Sequence, residues 1–181
     1  VRAHLALATE AALNAGAEPD WGICGVSLRH ADVRDALAPQ QGLYTIATRD
    51  ADDAGRARER LQVVGCVHEV LVASQDPGAV LARIAAPVAR IVSLTVTEKG
   101  YCRDPADPAQ RALHWDHPDI RADLADAAAP RSALGFIVRG LALRRARDLG
   151  GLALMSLDNL PANGETLHAL GESVQDSADG Q

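Results

Sequence analysis

The sequence predicts an α/β domain with a largely parallel sheet and flanking helices. Three observations carry that expectation. Aliphatic and β-branched runs at residues 21–28 (WGICGVSL), 91–96 (IVSLTV) and 152–157 (LALMSL) lack strict polar alternation, the pattern of strands covered on both faces. Helical patterns lie between them, so strand and helix alternate through most of the chain. Each run also stops abruptly at polar residues, and in open α/β sheets ligands bind at the carboxyl edge of the strands.

At 181 residues the chain can bury one good core, and one domain is the natural count. Hydrophobic residues make up 48% but aromatics only 3%, so the core must be Ala, Val, Leu and Ile. The net charge is −6, and no basic cluster is interleaved with aromatics, which argues against a nucleic-acid partner. The arginine-dense segment 139–147 reads as the wet face of a helix. No apolar run approaches the roughly twenty residues of a membrane span. No secretory signal is visible either, and the expected location is the cytoplasm.

Cys24, Cys66 and Cys102 are far apart and odd in number, without paired metal-ligand spacing, so a reduced compartment and no metal are expected. Cys24 and Cys66 sit in apolar strand patterns and read as core thiols. Of the 18 basic residues, Lys99 is the only lysine. Either a compact, flexible ammonium is required there, or a lysine has survived by chance on a surface turn.

Taken in order, residues 1–16 form an apolar helical stripe through Leu5, Ala8 and Ala12, ended by Asn14-Ala15-Gly16. A strand and glycine turn would normally precede such a helix, and here they would lie upstream of Val1. The strand at 21–28 leads by a short turn to Asp32 and a brief helix carrying Val33 and Leu37. Strands are expected at 42–47 and 62–72, antiparallel to each other, with 50–60 as a polar connector. Asp76-Pro77 opens a helix lined by Val80, Leu81 and Ile84, which Pro87 ends. The strand at 91–96 follows.

A proline-punctuated stretch then runs to Pro118. His114 and His117 flank Trp115-Asp116, and a surface loop capped by Asp116 fits that spacing better than a metal site. Residues 120–125 form a short helix. The longest helix follows Pro130, with Leu134, Ile137, Val138 and Leu141 at i, i+3, i+4 and i+7, until Gly150-Gly151 breaks it. The strand at 152–157 ends in Asp158-Asn159-Leu160-Pro161. A last helix begins at Asn163-Gly164-Glu165 and dissolves into a polar tail over 173–181.

Three strand ends carry candidate chemistry. Asp32 stands where dinucleotide folds place an acid that accepts from ribose hydroxyls, although an Asp there could equally cap the next helix. Thr97, Glu98 and Lys99 form the second group. Asp158 and Asn159 form the third: an Asn can donate to a carbonyl oxygen that becomes an alkoxide, or can merely make an Asx-turn.

The wording of these segments resembles the nucleotide-binding domain of the mannitol dehydrogenase family of polyol and hexuronate oxidoreductases. The matching phrases are DWGICGVSLR (20–29), QGLYTIATRD (41–50), RIVSLTVTEKGYC (90–102) and LDNLPANG (157–164), with WDHPDIRADL and PRSALGFIVRGL between them. TEKGY, where mannitol-type members more often have glycine at the Lys99 position, is similar to the fructuronate reductase branch.

The resemblance implies a Rossmann-like domain, lacking its first strand, over residues 1–172. It implies NAD as cofactor, no catalytic metal, and the interconversion of D-fructuronate and D-mannonate, with mannitol and fructose or another polyol as alternatives. Asp32 would select the unphosphorylated ribose; the residue before it, often acidic in mannitol-type members, is Ala31. Arg2 lies in a segment, Val1-Arg2-Ala3-His4, resembling the tail of the family's phosphate-binding turn, and Thr97 joins it as a cofactor contact. Glu98 matches a carboxylate implicated in proton movement, and Asn159 an asparagine that holds the reacting oxygen. Lys99 is the candidate substrate contact. In the family a lysine from a helical carboxyl-terminal domain is the general acid/base, and Lys99 does not occupy that place. The expectation is therefore an incomplete representative whose partner is its own missing domain. The rival is a catalytically inert remnant that binds nucleotide weakly at most.

Overall fold

The computed structural model describes residues 7–12, 15, 21–109, 111–159 and 162–179, with the side chains of the last helix followed to Asp176. The chain divides into two compact units, Val1–Val72 and Ala73–Gln181.

In the first unit, helix α1 is described over residues 7–12. Strand β1 (Ile23–Ser27) leads to the short helix α2 (Asp32–Leu37) and a 3-10 turn (Ala38–Gln40). Strands β2 (Tyr44–Ala51), β3 (Ala57–Val64) and β4 (Val67–Val72) follow. β1 and β4 run parallel, with Gly25 opposite Val70 and Ser27 opposite Val72. β2 and β3 form an antiparallel hairpin from Tyr44↔Val64 to Ala51↔Ala57.

This revises the single strand expected over 62–72. The apolar run bends at Gly65-Cys66, so its first half continues the hairpin and its second half joins β1. The bend is held from outside: Gly65 N donates to the Glu10 carboxylate (3.0 Å), and Ile23 N donates to the Cys66 carbonyl (2.8 Å). The antiparallel expectation for the first half is met. The expected connector 50–60 shrinks to 52–56, because Asp52 accepts from Ala54 N and Arg56 N and closes the turn locally. Those amides, Arg56 first, hold its carboxyl below the usual range.

Val64 and Cys66 are fully buried, packed by Leu7, Ile23, Tyr44, Ile46 and Val67. Cys66 is thus a core thiol, and burial pushes its pKa up. Cys24 is only half-buried, its Sγ 3.5 Å from Glu69 Oε2, because strand alternation turns it away from the face that carries Ile23.

In the second unit, α3 (Pro77–Ile84) starts as expected, with the Asp76 carboxylate accepting from Ala79 N at 2.8 Å. Strand β5 (Ile91–Leu94), the single turn α4 (Thr97–Gly100), α5 (Pro118–Ala125), α6 (Ala133–Ala146), β6 (Ala153–Ser156) and α7 (Asn163–Asp179) complete it. α6 is buried almost all round its first two turns. The reading of 139–147 as a wet face holds for Arg145 and Arg147, which are exposed, and fails for Arg144: it is 4% exposed, and its guanidinium donates to the carbonyls of Ile84, Ala86 and Gly150. Ile84 closes α3, so its carbonyl is one that a helix end leaves open, and a planar five-donor fork serves it together with the two loop carbonyls. The polar tail expected from Ser173 is also corrected. α7 runs on to Asp179 because Leu167, Leu170 and Val174 continue one buried stripe.

β5 and β6 pair in parallel from Ile91↔Ala153 to Leu94↔Ser156. The expectation that both strands are covered on both faces fails here. Ile91, Ser93, Ala153 and Met155 share one face and all are exposed, whereas Leu94 on the other face is buried. An uncovered face with Ile91 at 46% and Met155 at 42% exposure, on a sheet with unpaired edges among the described residues, favours self-association. The isolated chain is therefore expected to associate with rising concentration in sedimentation velocity. A monodisperse monomer at high concentration with a cooperative melt overturns this.

Candidate functional site

β5 and β6 end side by side, and Leu157 N extends the ladder by donating to the Leu94 carbonyl (2.9 Å). The chain leaving β5 turns at Thr95-Val96 and enters α4 through Thr97, whose φ is +63°. A β-branched residue in the left-handed region is rare and costs about 1–3 kcal/mol. Neighbouring structure must hold it there.

The holding group is Asp158, two residues past β6. Its Oδ2 accepts from Val96 N (2.9 Å) and Tyr101 Oη (2.9 Å), and its Oδ1 accepts from Thr97 N (3.2 Å). With the Tyr101 proton given to Asp158, Ser156 Oγ donates to Tyr101 Oη at 2.6 Å. Tyr101 is fully buried, and burial holds its phenol above the ordinary tyrosine range. The Asp158 carbonyl is fixed in turn: Asn163 Nδ2 donates to it (2.9 Å) and to the Ser156 carbonyl (3.1 Å). Gly100 fits the same tight turn, since a Cβ there would lie 2.7 Å from Val96 Cβ.

This scaffold places the side chains singled out in the sequence. Thr97, Glu98 and Lys99 are exposed on the turn after β5, and Asn159 is exposed after β6. No side-chain hydrogen bond or ion pair links Glu98, Lys99 or Asn159 to other described residues. The Asx-turn considered for Asn159 runs into residues 160–161, which lie outside the described residues; Asn163 braces this strand end. The structure thus brings Thr97, Glu98, Lys99 and Asn159 to the edge of one parallel pair. Such an edge offers an amide donor, a carboxylate and an ammonium to a small polar molecule.

Asp32 lies in the first unit, exposed in the first turn of α2 just past the carboxyl end of β1. The position before the helix is Ala31, with no side-chain cap bond, so the capping alternative for Asp32 is not realised. Arg2 lies outside the described residues. A cleft of about 320 Å³ in the same unit, lined by Arg34, Gln41, His68 and Glu69 among others, includes none of the sequence-selected residues.

Sequence reasoning missed Tyr101 and the bracing part of Asp158; Asp158 had been grouped with Asn159 without a task. The available signal was an acid at a strand end opposite a turn with two orphan amides. His117, not Asp116, caps α5, with Nδ1 accepting from Asp119 N at 3.2 Å. An extended His117 presents its ring nitrogen to that amide, while Asp116 lies 3.9 Å from Arg121.

Comparison with known proteins bears on all of this. The family model for the mannitol dehydrogenase Rossmann domain matches residues 1–179. An uncharacterized oxidoreductase, YeiQ, of Escherichia coli K12 is 42% identical over 168 residues, covering 92% of this chain and 33% of that protein. D-mannonate oxidoreductase of the same organism is 41% identical, covering 90% and 32%. A solved Pseudomonas fluorescens mannitol 2-dehydrogenase, in ternary complex with NAD and D-mannitol, superposes with a TM-score of 0.87 at 37% identity, covering 99% of this chain and 35% of that one. The Rossmann-type α/β expectation is met. The chain spans about a third of the length of these relatives.

Proposed function

We propose, from the premise that this chain belongs to the mannitol dehydrogenase family, that its protein is an NAD-dependent oxidoreductase interconverting D-fructuronate and D-mannonate. The observation that carries the substrate choice is Lys99, the sole lysine, exposed and without an ion pair among the described residues on the turn after β5. A hexuronate brings a carboxylate that such an ammonium can meet.

The residues present fit the cofactor in one testable respect. Asp32 offers an exposed carboxylate just past a parallel strand, as a ribose 2′-hydroxyl requires. Bound NADH supplies the hydride. The chain's own groups bind and orient, while the final proton to the substrate oxygen must come from a general acid outside these 181 residues. Asn159 donates from its amide to the substrate carbonyl oxygen and stabilises charge that develops there. Glu98, the carboxylate on the facing turn, moves a proton near the same oxygen. Lys99 orients the sugar acid through its carboxylate, and Thr97 contributes a hydroxyl towards the cofactor.

A polyol pair, mannitol and fructose, is the second reading. It is favoured by the 37% identity to a mannitol 2-dehydrogenase and by its high superposition.

The general acid/base lysine implied by the resemblance has no counterpart in these 181 residues. The isolated chain is expected to show no measurable oxidation of NADH with fructuronate, tagaturonate or fructose. The intact protein is expected to reduce fructuronate best, without added metal. Turnover by the purified chain alone means that the proton donor has been misplaced. Preference of the intact protein for fructose selects the polyol reading, and no turnover with any of the three leaves the inert-remnant account standing.

A further inference from the structure

We propose that Asp158 is a positioning residue that locks the Glu98 turn to the Asn159 turn. The proposal rests on the oxidoreductase reading only for its activity arm. The Asp158 carboxylate is spent on the scaffold: it is taken up by Val96 N, Thr97 N and Tyr101 Oη. All three donors belong to the segment that presents Glu98 and Lys99, and the acceptor is the immediate neighbour of Asn159. One residue therefore fixes the spacing between the two sides of the site. The carbonyl of the same residue is clamped by Asn163 Nδ2, so the clamp extends into the start of α7.

The left-handed Thr97 makes this dependence sharp. The bond from Thr97 N to Asp158 Oδ1 is the one that acts on this residue's own amide and holds it against relaxation to ordinary φ. Relaxation swings the next residue, Glu98, away from Asn159. Tyr101 adds a buried third anchor, reinforced by Ser156 Oγ. The lock thus governs where Thr97, Glu98 and Lys99 stand, and leaves Asp32 of the first unit untouched.

The test is Asp158→Asn in the intact protein, which turns one acceptor oxygen into an NH₂ facing an N–H. Loss of the lock is expected to lower kcat about a hundredfold, the scale of a 1 Å misplacement of reacting groups. The dissociation constant for NADH, read by fluorescence titration, rises far less than kcat falls, since of the proposed cofactor contacts only Thr97 moves. Amide hydrogen exchange at Val96 and Thr97 speeds up. A general loss of structure would instead cost NADH affinity as much as kcat. Tyr101→Phe, which keeps the ring and deletes one anchor, gives a smaller fall and serves if the Asn variant does not fold. The proposal is overturned if exchange at Val96 and Thr97 is unaltered in either variant, or if kcat and NADH affinity fall by the same factor. If the unmodified protein reduces none of the sugars, the oxidoreductase reading fails, and the exchange measurement still decides the lock.

Discussion

Replacing Gly42 by alanine is expected to lower the thermal midpoint by about 10 °C, and replacing Gly55 by only about 2–4 °C, in the range of 2–4 °C per kcal/mol for a chain of this size. Both glycines have positive φ, +81° and +75°. A Cβ in that region costs about 1–2 kcal/mol, partly offset by a stiffer unfolded chain. Their surroundings differ completely. A Cβ on Gly55 meets nothing within 4 Å, whereas one on Gly42 would lie 2.2 Å from the Val67 carbonyl oxygen. That oxygen belongs to backbone, not to a side chain that can swing aside. It cannot retreat cheaply, because Val67 opens β4 in register with Ile23 and the adjoining Cys66 carbonyl is bonded to Ile23 N. Overpacking of this kind costs about 1–3 kcal/mol beyond the φ term. Circular-dichroism melts of the two variants separate the contributions. Equal shifts mean that β4 can move and that the clash carries no weight.

The Gly42 contact also shows where sequence reading stopped. The strand ends were legible, since apolar runs that halt at Thr97-Glu98-Lys99 and Asp158-Asn159 announce a carboxyl edge without any partner being known. What was not legible depends on chain segments distant in sequence. The run 62–72 looks continuous because its hydrophobicity is continuous. The bend at Gly65 is imposed by Glu10, 55 residues away. Arg144 read as solvent-facing because its partners are backbone carbonyls, which have no residue signature. The two-sided burial expected for β5 failed for a subtler reason. Ser93 had already hinted at a wetter face, but one serine among Ile, Val and Leu did not break the pattern. Glu98, Lys99 and Asn159, singled out by their chemistry, are exposed at the carboxyl edge. The inward-facing Asp158 and Tyr101 were passed over because their work is to bond the backbone and each other.

Lys99→Gly in the intact protein is expected to lower kcat/KM for fructuronate about tenfold to a hundredfold while leaving that for fructose nearly constant. Lys99 sits on the turn after β5, exposed, at the edge it shares with Asn159. The competing account, that it merely neutralises Glu98, loses its footing in the geometry. No Lys99–Glu98 ion pair forms among the described residues, although the two are neighbours in sequence. An ammonium left unsatisfied by the chain can answer a substrate carboxylate. Once substrate covers it and excludes water, such a charge-assisted bond contributes roughly 1.5–3 kcal/mol, which sets the tenfold-to-hundredfold range. Glycine is the informative replacement, because the resemblance places it at this position in mannitol-type relatives and the turn should accept it. Lys99→Arg refines the test: it keeps the charge but replaces a compact ammonium by a planar fork, so intermediate selectivity is expected. The quantity to compare is the ratio of catalytic efficiencies for the acid and the neutral ketose. A fall confined to the acid places the ammonium on its carboxylate. Equal losses for both substrates make Lys99 a support of the turn, and an unchanged ratio with undiminished rates removes it from the site.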